Sequence, residues 1–410
     1  MSDGVGAREV AGLVEESHRE CWSTVLASTV RLTRDIDLAE DCTQDAFVQA
    51  LRTWPDGVPD NPAGWLTTVA RRLALDRLRR ETTLRRKLPL LIEDPAAPGG
   101  SERPTDPLRL VFTCCHPALA RDSQVALTLR LICGLTTREV AAGLLISEPT
   151  AAARITRAKK KIAAAGIPYR IPADNELADR LDAVLTVVQL VYTAGHVAAG
   201  PELTRADLTG RALELARLLV RLMPTEPEPQ ALLGLLLMTQ ARGDARVSED
   251  GELVLLADQD RSRWDARLLA EGVSRATAAL QEGRGRFALQ AAIAGLHVTA
   301  PSWETTDWHQ VVRVYDAMLL SWPSPIVALN RAAAHSLVPG ADLPAVLEEL
   351  DALGNEPALK SYAYLPAARA DVLVRLSRSA EAVKAYDEAI ALTANETENR
   401  FLQRRRAALL

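Results

Sequence analysis

Aromatic residues are scarce, 4% of 410 positions, while Ala, Leu and Arg are plentiful. Sheets draw on aromatic and β-branched side chains, so this balance favours helix. Cysteine is scarce as well: five residues, an odd number, with no CxxC pair. That argues against a disulfide scaffold and fits a reducing cytosol. Long apolar runs are missing. Stretches such as Ala231–Met238 fall far short of the roughly 20 residues a membrane span needs, so no membrane partner is expected. Met1–Val10 is polar, so no secretory signal is expected there. The six histidines are scattered, and there is no P-loop, no GxGxxG in a strand-turn-helix context and no GxSxG. Neither an enzyme nor a cofactor site is expected. What remains is ordinary globular material, 48% hydrophobic and 25% charged, with room for two or three domains.

The net charge of −5 conceals an asymmetry. Residues 1–170 carry 24 Lys/Arg against 21 Asp/Glu, and residues 171–410 carry 24 against 32. The basic residues of the first part are clustered in Arg71–Lys87 and in Arg154–Arg170. Two basic clusters on an otherwise acidic chain suggest two polyanion contacts.

Residues 8–87 read as helices. Leu38, Cys42, Ala46, Phe47 and Leu51 recur near a 3.6-residue period. The stretch Trp54–Pro62, with three prolines and a glycine, is expected to be a non-helical loop. Leu66, Val69, Ala70 and Leu73 then restart a helical stripe, with Arg71, Arg72 and Arg79 pointing away from it. Residues 88–107, rich in Pro and Gly, read as a linker at a domain boundary.

Residues 108–170 are helical again and contain a helix-turn-helix pattern. Thr136-Thr-Arg-Glu139 is a capping box ahead of a short helix, Leu144–Ile146 supplies the turn, and Ser147 caps a second helix with Pro149 in its first turn. In that second helix Ala151, Ile155, Ala158 and Ile162 form an inward stripe, while Thr150, Ala153, Arg154, Arg157 and Lys161 point outward. A capped helix with a basic outer face is what major-groove reading requires. A generic helical hairpin is the alternative.

From about 175 to 410 the pattern is a string of amphipathic helices, so the fold class expected for the whole chain is all-α. Late in this part Ala370, Ala382, Tyr386 and Ala389 fall where a tetratricopeptide unit wants small and aromatic residues, with Ala333 and Ala345 suggesting an earlier unit and Phe287–Leu320 a third hairpin. Such units stack because none buries its apolar face alone. Cys114-Cys-His116 with Cys133 lacks a convincing zinc spacing and reads as helix packing, so no metal is expected. Asp258-Gln-Asp-Arg-Ser-Arg-Trp-Asp265 reads as a capped loop held by salt bridges.

The strings Asp37–Phe47, Trp65–Arg80 and Gly134–Ala141 through Arg154–Lys159 resemble the core-binding helix, promoter-opening helix and −35 reader of extracytoplasmic-function (ECF) sigma factors. Phe112–Pro117, Ala164–Tyr169, Asp258–Asp265 and Ser324–Arg331 look like the subgroup with a large C-terminal tetratricopeptide-like extension. The resemblance implies sigma region 2 over 8–87, region 4 over 108–170, and a helical regulatory domain over 175–410, repeat-like from about 287. It implies that Asp41, Gln44 and Asp45 meet the clamp helices of core RNA polymerase, whose flap takes region 4. Asn61, Arg71, Arg72, Arg79 and Arg80 would hold the −10 element of promoter DNA, and Thr150, Ala153, Arg154, Arg157 and Lys161 the −35 element. A cytoplasmic location follows, as does cis control by the extension, which could take an unknown ligand or protein. The alternatives are a helix-turn-helix regulator acting without core polymerase and a helical-repeat scaffold.

Overall fold

The computed structural model of the chain describes residues 7–85, 106–144, 146–196, 206–248, 250, 252–393 and 395–410. Among the described residues the chain is all-α: eighteen α-helices, four short 3-10 turns and one isolated antiparallel bridge, Val247 with Leu253. It divides into two compact units, Met1–Val191 and Tyr192–Leu410.

The first unit opens with helices α1 (Ala7–Thr33), α2 (Ile36–Thr53) and α3 (Pro62–Arg85), each packed on the other two. Arg34, at φ 54°, turns the chain between α1 and α2, and Asp35 caps α2 by accepting the Leu38 N–H at 3.0 Å. The stretch after α2 is not wholly irregular. Trp54–Asp56 forms a 3-10 turn, because Trp54 is buried against the bundle and Pro55 suits a first-turn position. The stripe of α3 also runs differently from the sequence pattern. Leu66, Ala70 and Ala74 are fully buried, while Val69 and Leu73 are only half-buried. The small residues let α3 sit close to both neighbours.

The unit continues with α4 (Asp106–Cys114), α5 (Arg121–Leu131), α6 (Thr137–Leu144), α7 (Glu148–Ala164) and α8 (Asp174–His196), the end of which, from Tyr192, belongs to the second unit. The linker assigned to 88–107 lies outside the described residues as far as residue 105. Phe112, Cys114 and Cys115 are buried, and the Phe112 carbonyl accepts Arg180 Nη2 at 2.7 Å. Cys115 Sγ lies 3.5 Å from Thr128 Oγ1, and burial pushes its thiol up to about 11. The His116 ring accepts the Ala118 N–H at 3.1 Å, so this Cys-Cys-His string serves packing and a turn.

The second unit contains α9 (Ala206–Leu222), α10 (Pro227–Gln240), α11 (Ala266–Glu282), α12 (Arg286–Thr299), α13 (Trp308–Ser321), α14 (Pro325–Ser336), α15 (Leu343–Leu353), α16 (Tyr364–Arg375), α17 (Ser379–Leu392) and α18 (Glu396–Ala407). Helix α10 is apolar nearly all round and packs against α9, α11 and α12, as a helix without a polar face must. It approaches α11 closely at Gly234 and Gly272: a Cβ on Gly234 would lie 2.8 Å from the Gly272 carbonyl oxygen. Glu228 accepts the Phe287 and Ala288 N–H groups at 2.9 and 3.1 Å and so caps α12.

The hairpins α12–α13, α14–α15 and α16–α17 follow in chain order, each packed on the next. Ala370, Ala382, Tyr386 and Ala389 are buried at the last, as the repeat pattern requires. The earlier unit is shifted from its expected register. Ala332 and Val346 are buried where Ala333 and Ala345 were expected, and Ala345 is exposed because Asp342, capping α15 through the Ala345 N–H, holds that first turn at the surface. In Ser324–Arg331 the last residue is a clamp: Arg331 pairs with Asp316 of α13 at 2.7 Å and with Glu349 of α15 at 3.1 Å.

Candidate nucleic-acid interface

Helices α6 and α7 form the expected helix-turn-helix. Thr136 N–H donates to Glu139 at 2.6 Å and Glu139 N–H to Thr136 Oγ1 at 3.2 Å, a reciprocal capping box. Ser147 accepts the Thr150 N–H at 3.3 Å and starts α7. Ala151, Ile155, Ala158 and Ile162 are all buried, which fixes the rotation of α7 about its axis. Thr150, Arg157 and Lys161 are thereby exposed, and Ala153 and Arg154 are half-buried beside them. Arg154 is tethered to Asp122 of α5 at 3.0 Å.

On α2 the side opposite the buried Ala39, Cys42, Ala46 and Ala50 exposes Asp41, Gln44 and Asp45. Arg77 of α3 reaches Asp45 at 2.5 Å and Asp41 at 3.8 Å. On α3 Arg72, Arg79 and Arg80 are exposed and Arg71 is half-buried. Asn61 accepts the Gly64 N–H at 2.9 Å, so its side chain caps α3. Trp65 is half-buried, edge-on to Trp54 at 5.8 Å between ring centroids.

One constellation in this unit escaped the sequence reading. Glu40 of α2, 4% exposed, accepts from Lys159 of α7 at 2.6 Å and pairs with Arg130 of α5. Lys159 also reaches Asp37 at 2.7 Å. Burial alone would lower the Lys159 ammonium, but Glu40 and Asp37 outweigh it and hold the group above its ordinary range. Around this clamp Trp22 of α1 donates Nε1–H to the Leu131 carbonyl at 3.1 Å. Gly134, at φ +71°, leaves room for His18 and Trp22: a Cβ there would stand 2.7 Å from the His18 ring. Tyr169 donates to the carbonyls of Ala27 and Asp106 at 2.9 and 3.1 Å. The helix-turn-helix is thus docked on α1 and α2. The signal for Glu40 was present: with Thr43, Phe47 and Ala50 it lies on the inward stripe of α2, where an acid needs a partner.

Residues 19–83 match the model for sigma-70 region 2, and residues 109–162 that for sigma-70 region 4. Residues 180–280 match a family of unknown function (DUF6596). The ECF RNA polymerase sigma factor SigJ of Mycobacterium tuberculosis H37Rv is 33% identical over 195 residues, covering 41% of this chain and 59% of SigJ. The probable ECF RNA polymerase sigma factor SigI of the same species is 31% identical over 160 residues, 37% of this chain and 54% of SigI. The chain therefore spans little more than half of either. An uncharacterized protein of Rhizobium meliloti, R00370, is 40% identical over 390 residues, 92% of this chain and 91% of that protein. No solved structure matches the chain significantly. The chain belongs to the family of the R. meliloti protein, and its first unit, in which a match to sigma-70 region 2 is followed by one to region 4, is similar to ECF sigma factors.

Proposed function

We propose that the chain binds core RNA polymerase and directs promoter-specific initiation, the chemistry of RNA synthesis belonging to the polymerase and the work taking place in the cytoplasm. The observation that carries this reading is the order of regions 2 and 4 in one chain, with α7 rotated so that Thr150, Arg157 and Lys161 face outward. In it Asp41, Gln44 and Asp45 meet the basic clamp helices, and region 4 meets the flap. Asn61, Arg71, Arg72, Arg79 and Arg80 hold the −10 strand, where unstacked bases need a pocket and the backbone needs cations. Ala153, Arg154, Arg157, Thr150 and Lys161 take the −35 element.

The clamp bears on this reading. Elements centred about 25 base pairs apart lie roughly 85 Å apart along B-DNA, at about 3.4 Å per pair. Lys159 of α7 is bonded to Asp37 and Glu40 of α2, so regions 2 and 4 cannot span both elements in this arrangement. Polymerase binding therefore opens the first unit, and the second unit sets that activity in cis. Transcription reconstituted with core polymerase on a promoter library tests the proposal. Wild type yields defined start sites. Arg157→Ala lowers their use or relaxes the −35 preference, and removal of residues 192–410 lowers output. Sequence-specific DNA binding without core polymerase, and no initiation with it, would replace this reading by that of a helix-turn-helix regulator.

A further inference from the structure

Within the second unit, and independently of the reading of the first, basic and aromatic groups gather with no acid in ion-pair contact among the described residues. Tyr192 and His196 come from the end of α8, Arg242 and Arg246 from the segment after α10, Arg261 and Trp264 from the segment before α11, and His297 from α12. Arg246 donates Nη1–H to the His196 carbonyl at 2.8 Å and lies 3.2 Å from His196 Nδ1. Arg261 donates Nη1–H to the His297 carbonyl at 3.0 Å and stands 4.4 Å over the Trp264 ring. Arg242 is the common electrostatic neighbour of Arg246, Arg261, His196 and His297. Burial, and then these arginines, push His196 down to about 3 and His297 down to about 4, so both rings are neutral.

The loop Asp258–Asp265 departs here from its expected form. Its caps are present: Asp260 accepts the Ser262 N–H, and Asp265 those of Arg267 and Leu268. Its arginines, however, bond backbone carbonyls: Arg261 that of His297, and Arg263 that of Asp244. Among the described residues no carboxylate forms an ion pair with Arg242, Arg246 or Arg261, although Arg331, Arg369 and Arg405 in the same unit all have one. Glu398 and Glu304 act on Arg246 and Arg261 without ion-pair contact: Glu398 accepts from Tyr364 at 2.9 Å, and Glu304 is exposed. Arg242 Nε, Arg261 Nη2, Trp264 Nε1 and His297 Nδ1 are shielded from solvent and have no hydrogen-bond partner.

Shielded cations without a counter-charge are costly, and so are buried donors without acceptors. One group answers both deficits, an anion with several acceptor oxygens, and guanidinium forks match phosphate and carboxylate geometry. We propose that the second unit binds a small oxyanion, a phosphorylated or carboxylate-bearing molecule, through Arg242 and Arg261, with Trp264 Nε1 as a neutral donor and Arg246 adding to the field. Arg242, Arg246, Arg261 and Trp264 all lie in the stretch matched by the family of unknown function. The site thus gives that stretch a chemical role.

The test uses the full-length protein. Thermal unfolding and titration calorimetry are run with inorganic phosphate, with citrate, and with sodium chloride at matched ionic strength. Saturable binding with a rise in Tm of several degrees, about what a ligand at 100-fold its Kd produces, is expected from at least one oxyanion and not from chloride. Phosphate alone marks a phosphorylated ligand, and citrate alone a carboxylate. Arg242→Met should abolish the response and raise the Tm of the ligand-free protein, because it removes a mutually repelling cation. Trp264→Phe should keep the fold and weaken binding roughly tenfold. The proposal fails if neither oxyanion exceeds the salt control. It fails also if both variants respond as wild type does.

Discussion

In the first unit α2 and α7, which carry two of the three candidate interaction faces, meet through charge: Asp37 and Glu40 against Lys159, with Arg130 beside them. In the second unit the crossings are packed through small and apolar side chains, with Gly234 on Gly272 at one end and Ala370, Ala382, Tyr386 and Ala389 at the other, and ion pairs such as Arg331 with Asp316 and Glu349 are added to that packing. Charged contacts exchange for water, DNA or another protein surface at little net change. An interdigitated apolar contact has no such substitute. A charged seam between α2 and α7 suits the opening that the proposed function requires, while the apolar crossings of the second unit suit a scaffold.

The sharpest way to break that contrast is at Glu40. Glu40→Gln leaves Arg130 without its acid and Lys159 with the exposed Asp37 alone, and breaking a buried pair costs about 3–5 kcal/mol. Denaturant unfolding should show that loss. Glu381→Gln, at an exposed pair with Arg378, should show none. Limited proteolysis of the first unit should be faster in Glu40→Gln if regions 2 and 4 separate. Equal stability of the two variants would mean that the clamp does not hold the unit closed.

Gly272→Val probes the other side of the comparison. Its Cβ would stand 2.7 Å from Met238 Cγ and 2.9 Å from the Gly234 carbonyl oxygen. Backbone cannot give way there, so α10 and α11 must part, at a cost of about 3 kcal/mol. The variant should melt several degrees lower while start-site selection by the soluble fraction is kept. An unchanged Tm would show that the crossing is looser than the geometry indicates.

How much of this was legible follows from which interactions are local. Ser147, Thr136 and Glu139 could be placed from sequence because a cap is decided within four residues. The inward stripe of α7 was legible because its period is the helix's own. Glu40 with Lys159 was not, since 119 residues separate the partners and nothing local records the pairing. Acids beside the arginines of Asp258–Asp265 in sequence suggest salt bridges, yet two of those acids, Asp260 and Asp265, are occupied in capping. The slip from Ala333 to Ala332 and from Ala345 to Val346 arose where neighbouring residues are equally small or apolar, so that spacing alone cannot fix register.

Acid should weaken the second unit through two largely buried histidines. His196 and His297 are neutral when folded, with values about 3 and about 4, whereas an unfolded histidine titrates near 6.5. Below pH 6.5 the unfolded chain binds more protons, so the stability these rings contribute is present above that pH and is lost as pH falls towards 4. Each should remove about 1 kcal/mol between pH 6.5 and 5.5. Unfolding of His297→Gln across that range should show a shallower decline. An identical slope would place the acid sensitivity elsewhere.

The smallest expected change in stability belongs to the face of α2 that the clamp leaves exposed. Asp41 and Asp45 are one helical turn apart, and Arg77 is their partner at 3.8 and 2.5 Å. Exposed pairs of this kind contribute about 0–1 kcal/mol. Reversing both acids to lysine should therefore leave unfolding within about 1 kcal/mol of wild type. On the proposed function the same double variant, Asp41→Lys with Asp45→Lys, turns an attraction to basic clamp helices into a repulsion, and co-purification with core polymerase should be lost. Glu40 lies on the same helix one residue from Asp41 but faces inward, so the two experiments separate the sides of α2. One side alters stability, and the other alters partner binding without stability. Normal polymerase binding by the double variant would remove Asp41 and Asp45 from the interface and leave α2 with its inward role alone.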